Sequence, residues 1–573
     1  MKRRILVLLA AATLLMSFTV MAYAQDFMST GETGFYNAPK ALLRTDASLW
    51  DQDFRDNPAL LDPGSDLEFI MDGYYTGSTS DASALFRLGS PLTVRYSGSA
   101  DADYRINNVG TDIGFIMRMN DRSSLGFIFN YSWEGLDGDG SFSQYFDTRP
   151  IGGNLNYMHG AVDAGMNSNT FALSALYDIN YSENLSIGAG LTYAYINNTI
   201  EYDVSGAGLL PTVGPENLSI DNEMTFDYHR VTPVFGISLR PTDALIINSS
   251  ISANVYLGSV ERVSNLFDVV MASAAPGTFP TSTYTEELDS NDLLVLDLAF
   301  NADGEYEIIP ERLSLPFFLN FTYGIAKWSV DGATSGYFAP VNYYGSFQGP
   351  GTIEYGDKTE SWTVSLGGGV NYSVGGYDLS ALVGYSHMDL KNTFDMENYV
   401  VSTISIPGFP AGTTVGGLTA LSQDLTETWD IISLELGVAR EFSESFSAEF
   451  SARYDIGWGH MEANMWYTSP YDFAAGGGLT GSAFELDVED WGVTHFLTLA
   501  TYVAYHPTEN LTLSFEGMVG IPLDDVSYNL VGDISTAGTT VTSIRYVLGG
   551  PSTMDLSYRG WNYGGMFNIG YSF

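Results

Sequence analysis

The chain has 573 residues, six histidines, no cysteine and a formal net charge of −45 at pH 7. The lack of cysteine excludes disulfides, thiolate metal sites and cysteine nucleophiles, and the acidic balance argues against a nucleic-acid-binding surface, which needs a basic footprint. Only 16% of the residues are charged while 14% are aromatic; soluble domains carry about 25% charged residues, and this balance is typical of a barrel with one face in lipid.

The first 24 residues have the features of a secretory signal peptide. Lys2, Arg3 and Arg4 precede an apolar run at 5–21, and the Ala-Tyr-Ala at 22–24 fits a cleavage site. The alternative is an N-terminal membrane anchor. After residue 24 no apolar run is long enough for a transmembrane helix, so a membrane protein with this sequence must cross as a closed barrel.

Residues 25–66 do not alternate between apolar and polar side chains. They carry apolar groups such as Leu42, Leu43 and Trp50, which argue against a solvated linker. We therefore expect 25–66 to fold into a barrel lumen as an N-terminal hatch, with a periplasmic linker as the alternative.

From residue 67 to the end, many segments alternate strictly. "FSAEFSARYDIGW", from Phe446 to Trp458, places apolar side chains on one face and polar ones on the other, and the final "MFNIGYSF" does the same up to Phe573. Such segments have the length of tilted membrane strands. They are joined in pairs by seven tight turns: "MNDRSSL", "NYSENL", "RPTDAL", "IPERLS", "SVGGYD", "EFSESF" and "HPTENL".

The pattern predicts an all-β fold, a transmembrane antiparallel up-and-down β-barrel of 14–16 strands over residues 67–573. Seven turns imply sixteen strands, and fourteen if the pair at 291–330 does not form. Glycine-, aspartate- and serine-rich stretches are predicted to be long extracellular loops, at 136–169, 205–222, 259–290, 331–353, 393–425, 467–489 and 529–554. Short turns at one end and long loops at the other indicate the Gram-negative outer membrane; a soluble sandwich or propeller is the alternative.

Several charged residues face the lumen by the phase of the alternation. Arg118, Glu449, Arg453 and Asp455 are the candidates for a charge network or ligand contact, and Glu435, Asp112 and Glu516 also point inward. Either Arg118 or Arg453 is the residue we expect to meet a ligand carboxylate, because arginine binds carboxylates in a bidentate manner. The alternative is that these charges only pair with one another and hold the hatch and wall.

No metal, cofactor or catalytic activity is expected. Asp137 and Asp139 in "LDGDGS" resemble half of a calcium loop without its distal glutamate, so a plain turn is favoured there. The histidines have no metal-ligand spacing. An embedded hydrolase would need a constellation on neighbouring strands; His495 and Ser514 are the nearest such pair, and nothing else marks them.

The stretch "DNPALLDPGSDLEF" resembles the Asn-Pro-Ala signature that ends the N-terminal hatch in the FadL/TodX-type outer-membrane transporters. The match covers Asn57, Pro58, Ala59 and Leu60, with "TDAS" upstream, hairpins such as "YDINYSENLSIGAGLTYAY", and the terminal Phe573. The chain differs from that family in the inserted "LWDQDFR", in its larger loops and in a turn count above the family's fourteen strands.

The resemblance implies passive uptake of hydrophobic solutes, such as long-chain fatty acids or aromatic hydrocarbons. Loops would capture the ligand, the hatch with Asn57, Pro58 and Ala59 would gate the lumen, and the ligand would leave through a gap in the wall. A kink or missing ladder bonds in an early strand would support such lateral release. The alternative for Asn57, Pro58 and Ala59 is a rigid turn under the first strand without a gating role. Expected partners are the hydrophobic ligand, outer-membrane lipid and lipopolysaccharide, and the barrel-assembly machinery through Phe573; a monomer is expected. A general diffusion porin and a non-transporting scaffold or secretion-accessory barrel are the alternative functions.

Overall fold

The computed structural model describes most of the chain after residue 55. The described ranges are 56–61, 65–90, 94–147, 155–210, 214–271, 282–338, 347–348, 351–404, 413–473, 479–523, 526–538 and 551–573. The predicted signal peptide and most of the predicted hatch lie outside the described residues, as do parts of the predicted loops.

Strands make up almost all of the described chain, with one 3-10 turn at Pro58–Leu60. Their bounds are β1 Leu67–Ser90, β2 Val94–Asn120, β3 Ser123–Asp147, β4 Leu155–Ser182, β5 Leu185–Leu210, β6 Gly214–Thr242, β7 Leu245–Met271, β8 Ser282–Ile309, β9 Leu313–Phe338, β10 Phe347–Gln348, β11 Gly351–Val374, β12 Tyr377–Ile404, β13 Thr413–Ser443, β14 Phe446–Phe473, β15 Leu479–Thr508, β16 Leu511–Pro522, β17 Val526–Gly538 and β18 Pro551–Ser572.

The strands form one closed antiparallel sheet. Strand β1 pairs with both β2 and β18, so that Phe69 lies opposite Phe115 on one side and Tyr571 on the other. The two-residue β10 only extends the ladder beside β9, and β16 and β17 share one position between β15 and β18. The described strands therefore occupy sixteen wall positions, which confirms the predicted barrel and its higher strand count.

All seven predicted tight turns join neighbouring strands at one end of the barrel, here called the turn end, where Leu67 and Phe573 also lie. The turn between β11 and β12 requires glycine at two positions. Gly375 and Gly376 have φ of 64° and 79°, values that glycine adopts without steric cost. The opposite end is called the loop end.

Toward the loop end the strands are longer than the alternation predicts. β3 and β4 continue to Asp147 and back from Leu155, so the described parts of the predicted 136–169 loop form a ladder. Asp137 and Asp139 lie inside β3, opposite Gly165 and Asp163, and neither a turn nor a calcium loop forms there. Backbone pairing needs no apolar face once a strand leaves the hydrocarbon layer, so composition alone does not mark where a strand ends.

The two faces of the wall differ in burial as the phase predicts. Phe115, Phe127, Phe129 and Phe171 are exposed on the outer face, whereas Ile116, Ile128 and Ala172 beside them are buried toward the lumen. An exposed apolar outer belt is what a lipid-facing barrel requires. Among the described residues, no helix is long and apolar enough to cross a bilayer.

Candidate functional site

The Asn-Pro-Ala segment forms a short capped turn. Asn57 precedes the 3-10 turn in an extended conformation, and its side-chain Oδ1 accepts a hydrogen bond from the Ala59 N–H at 3.1 Å. Pro58 occupies the first turn position, where its missing N–H costs nothing and its fixed φ favours the turn. Leu60 N–H donates to Asn57 O at 3.0 Å. The sequence thus builds a compact unit with few internal degrees of freedom.

This turn lies against the lumen face of β5 and β6, on positions that have no side chain. A Cβ on Gly188 would lie 2.6 Å from Pro58 O and closer still to Pro58 C and Ala59 N. A Cβ on Gly236 would overlap Asn57 Oδ1 and lie 2.8 Å from Asn57 Cγ. The Asn57 amide also donates to Ile237 O at 3.2 Å. We call these glycines, with Gly190, the glycine seat.

Leu61 extends the contact into an apolar cluster inside the barrel. It is 1% exposed, and Leu60 packs against the same group. The cluster draws on five wall strands, with Leu61 packed among Ile70, Ile116, Ile128, Leu176 and Val234. The segment that carries the Asn-Pro-Ala sequence therefore sits inside the lumen and is held there mainly by apolar burial.

Next to the glycine seat, the ladder between β6 and β7 is interrupted. The pairing runs Val231↔Val255 and then Val234↔Ser252 in the same register, so that the backbones of Thr232 and Pro233 have no ladder partners on β7. The Thr232 side chain still bridges to β7, because its Oγ1 donates to Asn254 Oδ1 at 2.6 Å. Pro233 lacks an N–H and cannot donate to a ladder. Its neighbour Val234 belongs to the Leu61 cluster. Ladder bonds are therefore missing on the sixth strand of the wall, beside the seated turn. A second gap, at Leu315–Pro316 between β9 and β11, lies near the turn end.

On the opposite side of the lumen, Arg453 and Asp455 are brought together as predicted. Arg453 Nε donates to Asp455 Oδ1 at 2.8 Å, and its Nη2 donates to Ser433 Oγ at 2.9 Å. Glu435 lies directly across from Arg453 in the ladder between β13 and β14. It is 1% exposed, and neither of its carboxylate oxygens has a hydrogen-bond partner. With one arginine and two carboxylates, this group carries a formal charge of −1.

The other two predicted residues occupy different surroundings. Glu449 faces the lumen nearer the turn end of β14, where its backbone oxygen accepts from Thr501 Oγ1 at 3.1 Å. Arg118 is exposed at the turn end of β2, and its N–H donates to Asp66 O at 3.0 Å. In the wall β1, β18, β16 and β15 lie between Arg118 and Arg453, so the structure does not place Arg118 in the Arg453 group.

His495 and Ser514 do not form a catalytic pair. His495 faces outward and its Nδ1 contacts the Tyr454 hydroxyl at 2.5 Å. Ser514 faces the lumen, is 3% exposed, and accepts a hydrogen bond from Asn568 Nδ2 at 3.1 Å. Since the two side chains lie on opposite faces of the wall, they cannot act on one substrate. Among the described residues no group of three or more His, Asp or Glu is placed to hold a metal ion.

The sequence reasoning missed the glycine seat and Pro233. Gly188 and Gly190 stand in the quoted hairpin as part of a small polar face, and Gly236 follows Pro233 by three residues. A signal was present, because glycine inside a strand pattern marks a bulge or a close backbone approach, and proline argues for an unpaired position.

No protein-family model and no curated protein matches the sequence. Among solved structures, the chain is similar to a FadL homologue from Pseudomonas aeruginosa, with 10% identity, a TM-score of 0.31 and coverage of 91% of this chain and 94% of that chain. It is similar to the toluene transporter TodX from Pseudomonas putida, with 9% identity, a TM-score of 0.31 and the same coverages of 91% and 94%. It is also similar to the outer membrane protease OmpT from Escherichia coli, with 12% identity, a TM-score of 0.19 and coverage of 69% and 98%. These structures include transporters and a protease, so at such TM-scores the likeness does not discriminate between functions.

Proposed function

We propose that the protein is an outer-membrane barrel through which hydrophobic solutes pass without an energy source. Solutes enter from the loop end, reach the apolar cluster around Leu61, and leave sideways between β6 and β7. The observation that carries the proposal is the position of this cluster directly behind the interruption at Thr232 and Pro233. An apolar site with an apolar exit suits a solute that gains nothing from a water-filled pore.

The burial of the lumen face favours this function over a diffusion porin. Along β13, lumen-facing side chains are almost fully buried, from Leu425 at 2% and Trp429 at 1% to Ala439 at 1%. A wide aqueous bore would leave such positions exposed to water. The described lumen wall is therefore consistent with an obstructed barrel, in which residues 25–66 act as the hatch and Asn57, Pro58 and Ala59 act as its gating end.

The charge distribution favours uncharged solutes within the proposed class. Arg453 is engaged by Asp455 and Ser433 and faces the unpartnered Glu435. Because its guanidinium is already engaged by these partners, this arginine is a poor anchor for the carboxylate of a fatty acid. Aromatic hydrocarbons or other neutral solutes fit the lumen better than ionised fatty acids.

The remaining parts of the proposal concern the cell. The protein would be exported by the signal peptide at 1–24 and would reside in the Gram-negative outer membrane as a monomer. Its loops would capture the solute. The terminal Phe573 is 66% exposed and its ring lies 4.8 Å from that of Tyr571. An exposed aromatic at the turn end is available to the assembly machinery, as proposed from the sequence.

Purified full-length protein in lipid vesicles and planar bilayers tests the function. We expect flux of radiolabelled toluene above that of empty vesicles, together with an ion conductance far below that of an open sixteen-strand pore. High conductance with permeation of small sugars would establish the porin instead. Absence of both solute flux and conductance would leave the scaffold function. A Pro233→Val variant is the matched control for the exit, because it supplies the missing N–H without adding charge.

A further inference from the structure

The lysines of the barrel converge on one patch of the outer wall. After Lys40 the sequence contains only Lys327, Lys358 and Lys391, and the structure places them on the adjacent strands β9, β11 and β12. Lys327 lies directly opposite Lys358. Lys391 lies opposite Glu360, two residues from Lys358 along β11. We call these three residues the lysine patch.

The lysine patch faces away from the lumen. On β12 the lumen-facing Asn392 is 1% exposed, and the adjacent Lys391 is exposed on the other face. On β11, Ser365 is buried toward the lumen. Because side chains alternate along a strand, Lys358, seven residues away, faces outward, and its side chain is 43% exposed. Lys327 is also exposed. All three ammonium groups therefore project from the outer surface of the barrel.

The height of the patch places it just outside the hydrocarbon layer. Lys327 and Lys391 each lie 14 residues from the turn-end start of their strand, at 313 and 377. With about 3.4 Å per residue and a tilt of about 40°, this is about 36 Å, whereas the apolar band is about 25 Å tall. Trp362 and His387, with ring centroids 4.8 Å apart, lie between the two levels as an interfacial aromatic pair. The patch is thus at the level of lipid head groups.

Among the residues that the structure describes, Glu360 is the one carboxylate in contact with the patch, and it contacts only one of the three ammonium groups. Like charges directly opposite in a ladder destabilise a sheet, and Lys327 and Lys358 are such a pair. Lys358 Nζ contacts Glu360 Oε1 at 2.5 Å, but within the described part of the chain neither Lys327 nor Lys391 has an ion-pair partner. Asp389 and Asp395 lie on the outer face of β12 near the patch, and their negative charges offset the lysine charges at long range. The lysines are therefore expected to attract an anion only through direct contacts.

We propose that the lysine patch binds the phosphate groups of an anionic glycolipid head group in the leaflet at the loop end. The inference rests on the proposed outer-membrane location. Three ammonium donors at neighbouring ladder positions match a phosphorylated sugar, whose oxygens accept charge-assisted hydrogen bonds. The chain is acidic overall, and the three lysines of the described wall all lie in this patch.

The test is lipid binding by the full-length protein in detergent micelles. The probe is lipid A, compared with its dephosphorylated form, and the readout is the dissociation constant from titration together with lipid retention in native mass spectrometry. Each lysine at an anionic lipid surface contributes about a fivefold gain in affinity. The triple variant Lys327→Gln, Lys358→Gln, Lys391→Gln should therefore bind lipid A about 100-fold more weakly.

Two controls separate the patch from general charge and from misfolding. The triple arginine variant should retain tight binding, and Arg105→Gln, which removes a lone exposed cation from the outer face of β2, should change affinity by no more than about fivefold. Heat-modifiable gel migration shows that each barrel is folded. Equal affinity of wild type and the glutamine variant for lipid A, or equal binding of the dephosphorylated form, would overturn the inference. Because binding in micelles needs no solute flux, its outcome is independent of the transport test.

Discussion

The contact between Gly188 and the Asn-Pro-Ala turn yields the sharpest prediction. In the Gly188→Ala variant the new methyl group would lie 2.6 Å from Pro58 O and nearer still to two other backbone atoms of the turn. Carbon contacts are favourable at about 3.5–4.0 Å, so the turn must move by about 1 Å. The colliding atoms belong to backbone fixed by Pro58, so no side-chain rotation relieves the overlap.

The size of the effect follows from what holds the turn in place. Burial of Leu61 contributes about 1.5–3 kcal/mol, and the hydrogen bond from the Asn57 amide to Ile237 O, the one that joins this side chain to the wall, contributes about 0.5–1.5 kcal/mol. Displacement that costs this hydrogen bond and most of the burial should weaken seating by about 3 kcal/mol. At 1.4 kcal/mol per tenfold change, the unseated population rises about 100-fold.

Thiol labelling in a cysteine-free chain measures that population directly. Leu61→Cys introduces the single thiol, and its reaction with a water-soluble maleimide reports how often the segment leaves the cluster. We expect Gly188→Ala to speed labelling about 100-fold relative to the same reporter in the wild-type background. Gly73→Ala is the matched control, because a Cβ there meets nothing within 4 Å and labelling should not change.

An unchanged labelling rate in the Gly188→Ala variant would refute the seating geometry. A rise of equal size in Gly73→Ala would show that the reporter responds to general loosening of the barrel. The melting temperature of each variant, measured by loss of heat-modifiable migration, distinguishes the two outcomes, because general loosening of the barrel would lower it.

Three further changes have defined outcomes. Gly236→Ala meets the Asn57 side-chain amide, which can rotate away, so labelling of the Leu61→Cys reporter should rise about tenfold, because only side-chain hydrogen bonds are lost. Arg453→Gln leaves two lumen carboxylates without their cation and should destabilise the barrel by about 3–5 kcal/mol. The loss would be measured as a lower denaturant concentration at the unfolding midpoint. Glu435→Gln, in contrast, should leave the midpoint unchanged or raise it. Pro233→Val should slow toluene efflux from loaded vesicles several-fold while leaving ion conductance unchanged, since it permits the β6–β7 ladder to close; equal efflux rates would place the exit elsewhere.

The wall was predictable because its physics is local and periodic. Strict alternation fixes which face of each strand meets lipid, and turn residues such as Gly375 and Gly376 mark where strands reverse. The inward phase of Glu435, Arg453 and Asp455 followed from the same rule. Strand length did not, because outside the hydrocarbon layer the ladder at Asp137 and Asp139 continues on backbone hydrogen bonds with no apolar signal.

The candidate site was only partly predictable, because it depends on contacts between distant parts of the chain. Asn57 was recognised by resemblance, but nothing local shows that its partner is Ile237, 180 residues away. Arg118 and Arg453 share an inward phase, yet phase carries no information about which strand positions adjoin across a closed sheet. The formal charge of the Arg453 group likewise became evident only when Glu435 was found opposite it.

The glycine seat and the interruption at Pro233 form one mechanical unit. Gly236 lies against Asn57, and Val234 belongs to the Leu61 cluster. Thr232 and Pro233, which have no backbone ladder partners on β7, directly precede Val234 on the same strand. When the turn is seated, its apolar contacts hold Val234 toward the lumen and fix this part of β6. In the proposed mechanism, departure of the turn removes that support at the part of β6 that also lacks ladder bonds to β7. Movement of the Asn-Pro-Ala segment would then be coupled to opening of the wall. We therefore expect a solute that displaces the turn from the apolar cluster to open the proposed exit between β6 and β7.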